Sequence, residues 1–257
     1  MISLAGKRIL VLGVASAESI AWATAQGLAH CGAEVHISYQ QRFRSRVMQL
    51  LNEVPGLIAG AHRCDVTNDT EIQQMFQAIN GPIHSLIHGV GYAPPETFGK
   101  PIYEVTPEEF SQAALVSAHS LLRVTRLALP SLTAGSSIMT LTYLGGQRVV
   151  PGYRMMGIAK AALEATVREL SVDVGVHGVR VNAISAGPVA TLSAMALPSF
   201  STMLEQYPRI APLHSPITTH DVAKICAFLA SDLSDKITGQ VLFVDAGYSI
   251  LGAYPPS

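Results

Sequence analysis

Short apolar runs rich in β-branched residues alternate along the chain with longer stretches whose apolar positions recur every three to four residues. The short runs are RILVLG near 8–13, EVHISY near 34–39, LIAGAHR near 57–63, IHSLIHG near 83–89, SSIMTLT near 136–142, VRVNAIS near 179–185 and QVLFVDA near 240–246. Helix-period segments such as IAWATAQGLAHCG and AKAALEATVRELSVDVG lie between them. Seven strands joined by crossover helices predict an α/β fold, a doubly wound parallel sheet with helices on both faces. No repeat, charge run or Pro/Gly-rich linker interrupts the alternation, so one domain over 1–257 is expected. The longest stretch without a clear period, 186–218, follows the sixth strand and so lies at the carboxyl edge, where open α/β sheets bind ligands. It is a candidate mobile lid.

Composition narrows the partner. The 257 residues are 49% hydrophobic and 14% charged, enough to fill a substantial core. Seventeen basic and 18 acidic side chains give a net charge of -1, which supplies no field to gather nucleic acid or an anionic membrane. A small molecule is the expected partner. Cys31, Cys64 and Cys226 stand far apart in apolar contexts and read as reduced packing residues. The nine histidines show no metal-ligand spacing, and His88, in an apolar run, reads as a hydrogen-bonded core imidazole. No metal is expected. The opening MISLAGKRILVLG is too short for a signal or membrane helix, and no run of about 18 uncharged apolar residues occurs elsewhere. The expected location is cytoplasmic.

The first strand runs into LGVASAESIAWATAQGLA, with Gly13 at the turn, small residues Val14, Ala15, Ser16 and Ala17, and a helix starting near Ser19. Such a turn aims backbone N–H groups and the positive helix end at a pyrophosphate, with Ser19 as cap or hydroxyl donor. The usual G-x-G-x-x-G is absent, and a plain packing turn is the alternative. Strand two ends in Ser38-Tyr39-Gln40 without the Asp or Glu that holds a ribose diol. Gln40 can bond the adenosine ribose, while Arg42 and Arg44 can either meet a 2′-phosphate or point to solvent. Asp65-Val66, ending strand three, suits an adenine amine and ring. These features together outline a Rossmann-type nucleotide site.

In YRMMGIAK, residues 153–160, a lone tyrosine precedes a lone lysine by seven positions. At about 100° per residue, seven helical steps turn about 700°, within about 20° of two turns, so a helix here would put both on one face. Taken singly, each is as well read as a packing tyrosine and a solvated lysine.

The landmarks G-V-A-S-A-E-S-I-A (13–21), C-D-V (64–66), H-G-V-G-Y-A-P (88–94), L-T-Y-L-G-G (141–146), YRMMGIAK and V-R-V-N-A-I-S-A-G-P-V-A-T-L (179–192) together resemble the short-chain dehydrogenase/reductases. More narrowly, they resemble the bacterial enoyl-[acyl-carrier-protein] reductases of type II fatty-acid synthesis, over almost the whole chain. Ordinary members of the wider family carry a tyrosine four residues before the lysine; here Met156 stands there, and Tyr143 occupies the region of the usual serine. The resemblance implies NADH as cofactor, with NADPH possible, and reduction of a trans-2-enoyl thioester on acyl carrier protein. Hydride passes to the β-carbon while Tyr153 donates to the thioester oxygen, Lys160 holds the nicotinamide ribose, and its charge is expected to make the phenol more acidic. Beside the residues named above, Ile20, Gly89, Gly91, Gly187, Pro188, Val189 and Thr191 are implied on the cofactor. Ala93, Tyr143, Tyr153, Met156 and Phe200 are implied on the substrate. A homotetramer packed through long helices near 106–130 and 153–175 is also implied.

Two departures qualify the likeness. Gly89 replaces a serine common in relatives, removing a side-chain contact to the cofactor. Residues 189–204 hold no lysine or arginine, so either docking of an acidic carrier falls to other basic residues such as Arg154 or Arg209, or the substrate is carried differently. The rival readings are a conventional carbonyl or hydroxyl oxidoreductase on the same scaffold, and a non-catalytic nucleotide sensor.

Overall fold

The computed structural model describes residues 2–195, 197 and 200–252. Seven strands, β1 (Arg8–Leu12), β2 (Glu34–Tyr39), β3 (Gly60–Arg63), β4 (Ile83–His88), β5 (Leu132–Thr142), β6 (Arg180–Ala186) and β7 (Val241–Val244), form one sheet in the order β3-β2-β1-β4-β5-β6-β7. Every pairing is parallel. The doubly wound expectation thus holds. Strand bounds move where local chemistry changes: β3 starts at Gly60, after the turn that leaves α2, and β5 starts at Leu132, four residues before the apolar run.

Alternation along the strands feeds two cores. Ile9 and Val11 face one cluster with Trp22 and Leu28 of α1 (Ile20–His30), Val47 of α2 (Arg44–Glu53) and Val222 of α9 (Thr219–Ala230). Leu10 and Leu12 face the other, with Ile72 of α3 (Asp69–Ile79), Leu121 of α5 (Ser120–Ala128) and Leu163 of α6 (Arg154–Gly175). Successive side chains on opposite faces produce this division directly.

The helix expected over 106–130 is interrupted. α4 (Pro107–Ala114) opens on a Thr106 capping box, passes through a π turn at 115–119 and continues as α5. Ser117 of that turn bonds the backbone of Tyr92, and Ser120, just after it, bonds His88 of β4. The helix expected from 153 begins at Arg154, whose φ of +45° lies in the left-handed region. The candidate lid is not without structure: it contains α7 (Leu192–Met195) and α8 (Phe200–Ile210). Pro208 and the Ser/Thr content of α8 blur its period, and burial of Phe200 and Tyr207, seven apart, is what fixes its face. Lid residues 196, 198 and 199 lie outside the described residues.

The strand order reverses between β1 and β4, each of which is followed at once by a glycine, Gly13 and Gly89. Open α/β sheets bind nucleotides in this crevice. Gly13 has φ +90°, and a Cβ there would overlap the Gly89 carbonyl oxygen. Only a glycine lets the two strand ends approach this closely.

Candidate active site

Two adjoining cavities of about 450 and 520 Å³ open at that crevice and share Gly13, Ala15, Gly89 and Gly91. The larger is lined by Gln40, Asp65 and Val66 together with Arg42. β3 ends at Arg63, two residues earlier than the sequence suggested, and Asp65 lies in the turn that follows, where its Oδ1 accepts from Thr67 N (2.9 Å) and Thr67 Oγ1 (2.7 Å). The smaller takes in Ser19, Ile20, Ala93, Gly187, Pro188, Val189 and Thr191, and reaches Tyr143, Tyr153, Met156, Lys160 and Phe200. All the residues implied on cofactor or substrate therefore line one cavity or the other, as does Arg42, whereas Arg44 lines neither and is exposed.

Hydroxyl roles are narrower than the sequence left them. Ser19 Oγ accepts from Trp22 N and donates to Ser16 O (2.8 Å), so it is spent on capping α1. Thr191 Oγ1 accepts from Ala194 N at 3.2 Å. The start of α1 borders the crevice through Ser19 and Ile20, and the two strand ends meet closely at Gly13. This cradle of N–H groups and glycines fits a dinucleotide pyrophosphate.

Tyr153 is placed by a turn, not by helical phase. It precedes α6, and Gly145 lies against its ring so tightly that a Cβ at 145 would overlap it. The Tyr143 ring meets it edge-on, centroids 4.9 Å apart at 72°. Tyr143 Oη donates to Met203 Sδ of α8 at 3.2 Å, tying the strand-five turn to the lid. The seven-step helical arithmetic fails because Arg154 leaves the right-handed region, yet phenol and lysine still line one cavity.

Lys160 is buried, and its Nζ donates to Leu141 O at 2.7 Å. Burial lowers its pKa to about 8, with Glu164 acting against the fall. The expectation of an acidified phenol is overturned: burial first, then Tyr143 and Glu164, push the Tyr153 hydroxyl above its ordinary value. Desolvation of a phenolate outweighs the lysine, whose hydrogen bond goes to a backbone carbonyl. Tyr153 is therefore a protonated donor near neutrality.

Met156, four residues before Lys160, is 8% exposed, and Ser117 Oγ lies 3.9 Å from its Sδ. Ser117, in the π turn, donates to Tyr92 O (2.8 Å) and accepts from Tyr92 N (2.9 Å). His88 pins the same turn. Its pKa is pushed down to about 3 by burial and then by Lys160, so the ring is neutral. Ser120 Oγ donates to Val116 O (2.7 Å), which assigns the His88 proton to Nε2 facing Ser120 (2.8 Å) and leaves Nδ1 unprotonated, 3.1 Å from Thr140 Oγ1, whose one proton is shared with His88 O (3.2 Å).

A pH dependence follows. A histidine buried neutral contributes stability fully present above its unfolded pKa of about 6.5, and lost as pH falls toward about 3. Urea unfolding should show stability falling by up to roughly 1.4 kcal/mol per pH unit from this group below about pH 6.5. His88→Gln should flatten that slope; an unchanged slope would show that His88 does not supply it.

The sequence reading missed Glu164, Thr142, Gln147 and Met203. Glu164 follows Lys160 by four and reads as an exposed partner, but it is 4% exposed. Among the described residues no group of three or more His, Cys, Asp or Glu side chains is placed to hold a metal, and no helix is long and apolar enough to cross a membrane.

The family model described as Enoyl-(Acyl carrier protein) reductase matches residues 13–249. The chain belongs to this family. The NADH enoyl-[acyl-carrier-protein] reductase of Synechocystis sp. is 41% identical over 260 residues, covering 98% of this chain and 100% of that protein. A Bacillus cereus enoyl-acyl carrier protein reductase, solved with NADP+ and indole naphthyridinone, superposes with TM-score 0.95 at 41% identity, covering 98% of this chain and all of the other. The Anaplasma phagocytophilum reductase, solved with NAD, gives 0.92 at 34% identity, covering 98% and 97%. In this reductase family the shared fold carries the switch-point crevice, and Tyr153, Met156 and Lys160 open onto it.

Proposed function

We propose that the protein reduces the trans-2 double bond of enoyl thioesters on acyl carrier protein to the saturated acyl thioester, as a step of fatty-acid elongation. The observation that carries this reading is one cavity, continuous with the nucleotide crevice, onto which a protonated Tyr153, the Tyr143 ring and a buried Lys160 all open. Bound along the crevice, NADH supplies the hydride for the β-carbon. Gly13, Ala15, Ser19, Ile20, Gly89 and Gly91 line the path of the pyrophosphate, and the 187–191 segment the carboxamide. Gln40 meets the adenosine ribose, and Asp65 and Val66 the adenine. Arg42 lines both cavities and favours acceptance of a 2′-phosphate, so NADPH serves as the second reductant.

Lys160 holds the nicotinamide ribose hydroxyls with a cation already anchored at Leu141 O. Tyr153 donates a hydrogen bond to the thioester oxygen, where negative charge builds as the β-carbon takes the hydride, and the resulting enolate then takes a proton at its α-carbon to give the saturated thioester. A donor fixed by packing and aimed at developing charge stabilises the transition state without reorganising. Tyr143, Met156, Ala93 and Phe200 wall off the acyl chain, with Met156 taking the turn where a carbonyl reductase would need its phenol.

A single catalytic domain, with 186–218 as its lid, works in the cytoplasm. Exposed Arg154 and Arg209 meet the acidic carrier. Val172 and Val176, 72% and 82% exposed on and just after α6, and Phe110 and Leu115, on and just after α4, supply apolar surface for a homotetramer.

The test follows loss of reduced nicotinamide with crotonyl thioesters on carrier protein and on coenzyme A, and with simple ketones, using each nucleotide. Oxidation with the enoyl thioesters alone is expected. Turnover of ketones in preference, or no turnover with any acceptor, would overturn the reading in favour of a carbonyl reductase or a sensor.

A further inference from the structure

Glu164 is a buried carboxylate without a contact cation. Its Oε1 accepts from Thr142 Oγ1 at 2.8 Å and its Oε2 from Gln147 Nε2 at 2.9 Å. Among the described residues it makes no ion pair within 4.0 Å. Two neutral donors do not offset the desolvation of a full charge, and a nearby opposite charge is the usual remedy. Lys160, one helical turn earlier, is in the mirror situation: buried, cationic and bonded to a carbonyl alone. The segment between Glu164's two donors, 142–147, carries Tyr143 and the Gly145-Gly146 pair against which Tyr153 and α6 pack.

We infer that Glu164 is a positioning residue for the proposed reaction: a fixed anion, clamped by Thr142 and Gln147, that keeps Lys160 charged beside the cofactor ribose and holds the Tyr143 turn against Tyr153. The inference rests on the proposed function for its purpose, but not for its test. The titratable groups on the elements around Lys160 are His88 at the end of β4, Tyr143 after β5, and Tyr153 and Glu164 on either side of it in sequence. His88 is neutral and the Tyr153 phenol is protonated. Glu164 is the group that opposes the effect of burial on the lysine. Without its charge, desolvation acts unopposed and Lys160 gives up its proton at lower pH. A carboxylate that merely tethered Gln147 would leave that titration in place.

The experiment is NADH binding, read by quenching of protein fluorescence between about pH 6.5 and 9.5, on the whole wild-type protein, Glu164→Gln and Gln147→Lys. Glu164→Gln removes the charge while keeping the size. Gln147 is exposed, so its lysine variant is compatible with folding and brings a cation to the same carboxylate. Wild-type affinity should weaken on the alkaline side with a midpoint near 8. The midpoint should move about one pH unit lower in Glu164→Gln, and in the same direction by less in Gln147→Lys. Unmoved midpoints in both variants, whatever their melting temperatures, would overturn the inference, as would a wild-type affinity that is flat with pH. If Glu164→Gln does not fold, Gln147→Lys decides alone. A protein that binds NADH with this pH dependence yet reduces no enoyl thioester would instead remove the function and leave the pairing intact.

Discussion

Tyr153→Phe should lower kcat on an enoyl thioester by about 10²- to 10³-fold, the usual cost of deleting one preorganised donor from an oxyanion site. NADH affinity should not change, because the ring that packs on Gly145 and Tyr143 remains. The phenol's raised pKa sharpens this expectation. Its hydroxyl acts as a donor in its protonated form, so no loss of activity near neutral pH should trace to tyrosine ionisation. Stopped-flow oxidation of NADH, with affinity measured separately, checks both halves. Wild-type turnover in the phenylalanine variant would remove the hydroxyl from the chemistry.

Gly13→Ala should be the most damaging small substitution at the nucleotide end. A φ of +90° is costly for any residue with a Cβ, and the added carbon would overlap Gly89 O and sit 2.9 Å from Gly89 C. Relief requires separating strand ends that pair through Leu12 and His88. A loss of at least about 2 kcal/mol in unfolding free energy is expected, with NADH binding weakened beyond detection. Urea unfolding and NADH titration measure the two effects. A variant matching wild type in both would mean that the β1–β4 crevice is not the nucleotide floor.

The inner parallel strands were legible because they are buried on both faces and read as near-continuous apolar runs, as RILVL does, while the edge strands β3 and β7 are only partly buried. β5 was clipped because Thr133 and Gly135, at its start, carry no such signal. The break between α4 and α5 was not legible: the contacts that accompany it, Ser117 with Tyr92 and Ser120 with His88 of β4, join residues far apart in sequence. α8 escaped for a similar reason, since its defining contacts are made by Phe200 and Tyr207 across the sequence, and Pro208 disguises its period. Tyr153 and Lys160 were grouped by helical arithmetic, but the grouping is produced by the turn at Gly145 and the kink at Arg154. The sign of the phenol's pKa shift was misjudged because charge is visible in sequence and burial is not. Glu164 was passed over on the same ground: four residues from a lysine, it looks like half of a surface pair.

The most direct test of the central claim is a structure of the protein with NAD+ and a trans-2-enoyl thioester bound together. The account predicts Tyr153 Oη about 2.7 Å from the thioester oxygen, with Lys160 on the nicotinamide ribose and the β-carbon facing the pyridine ring. A phenol turned away from that oxygen, with another donor in its place, would contradict it.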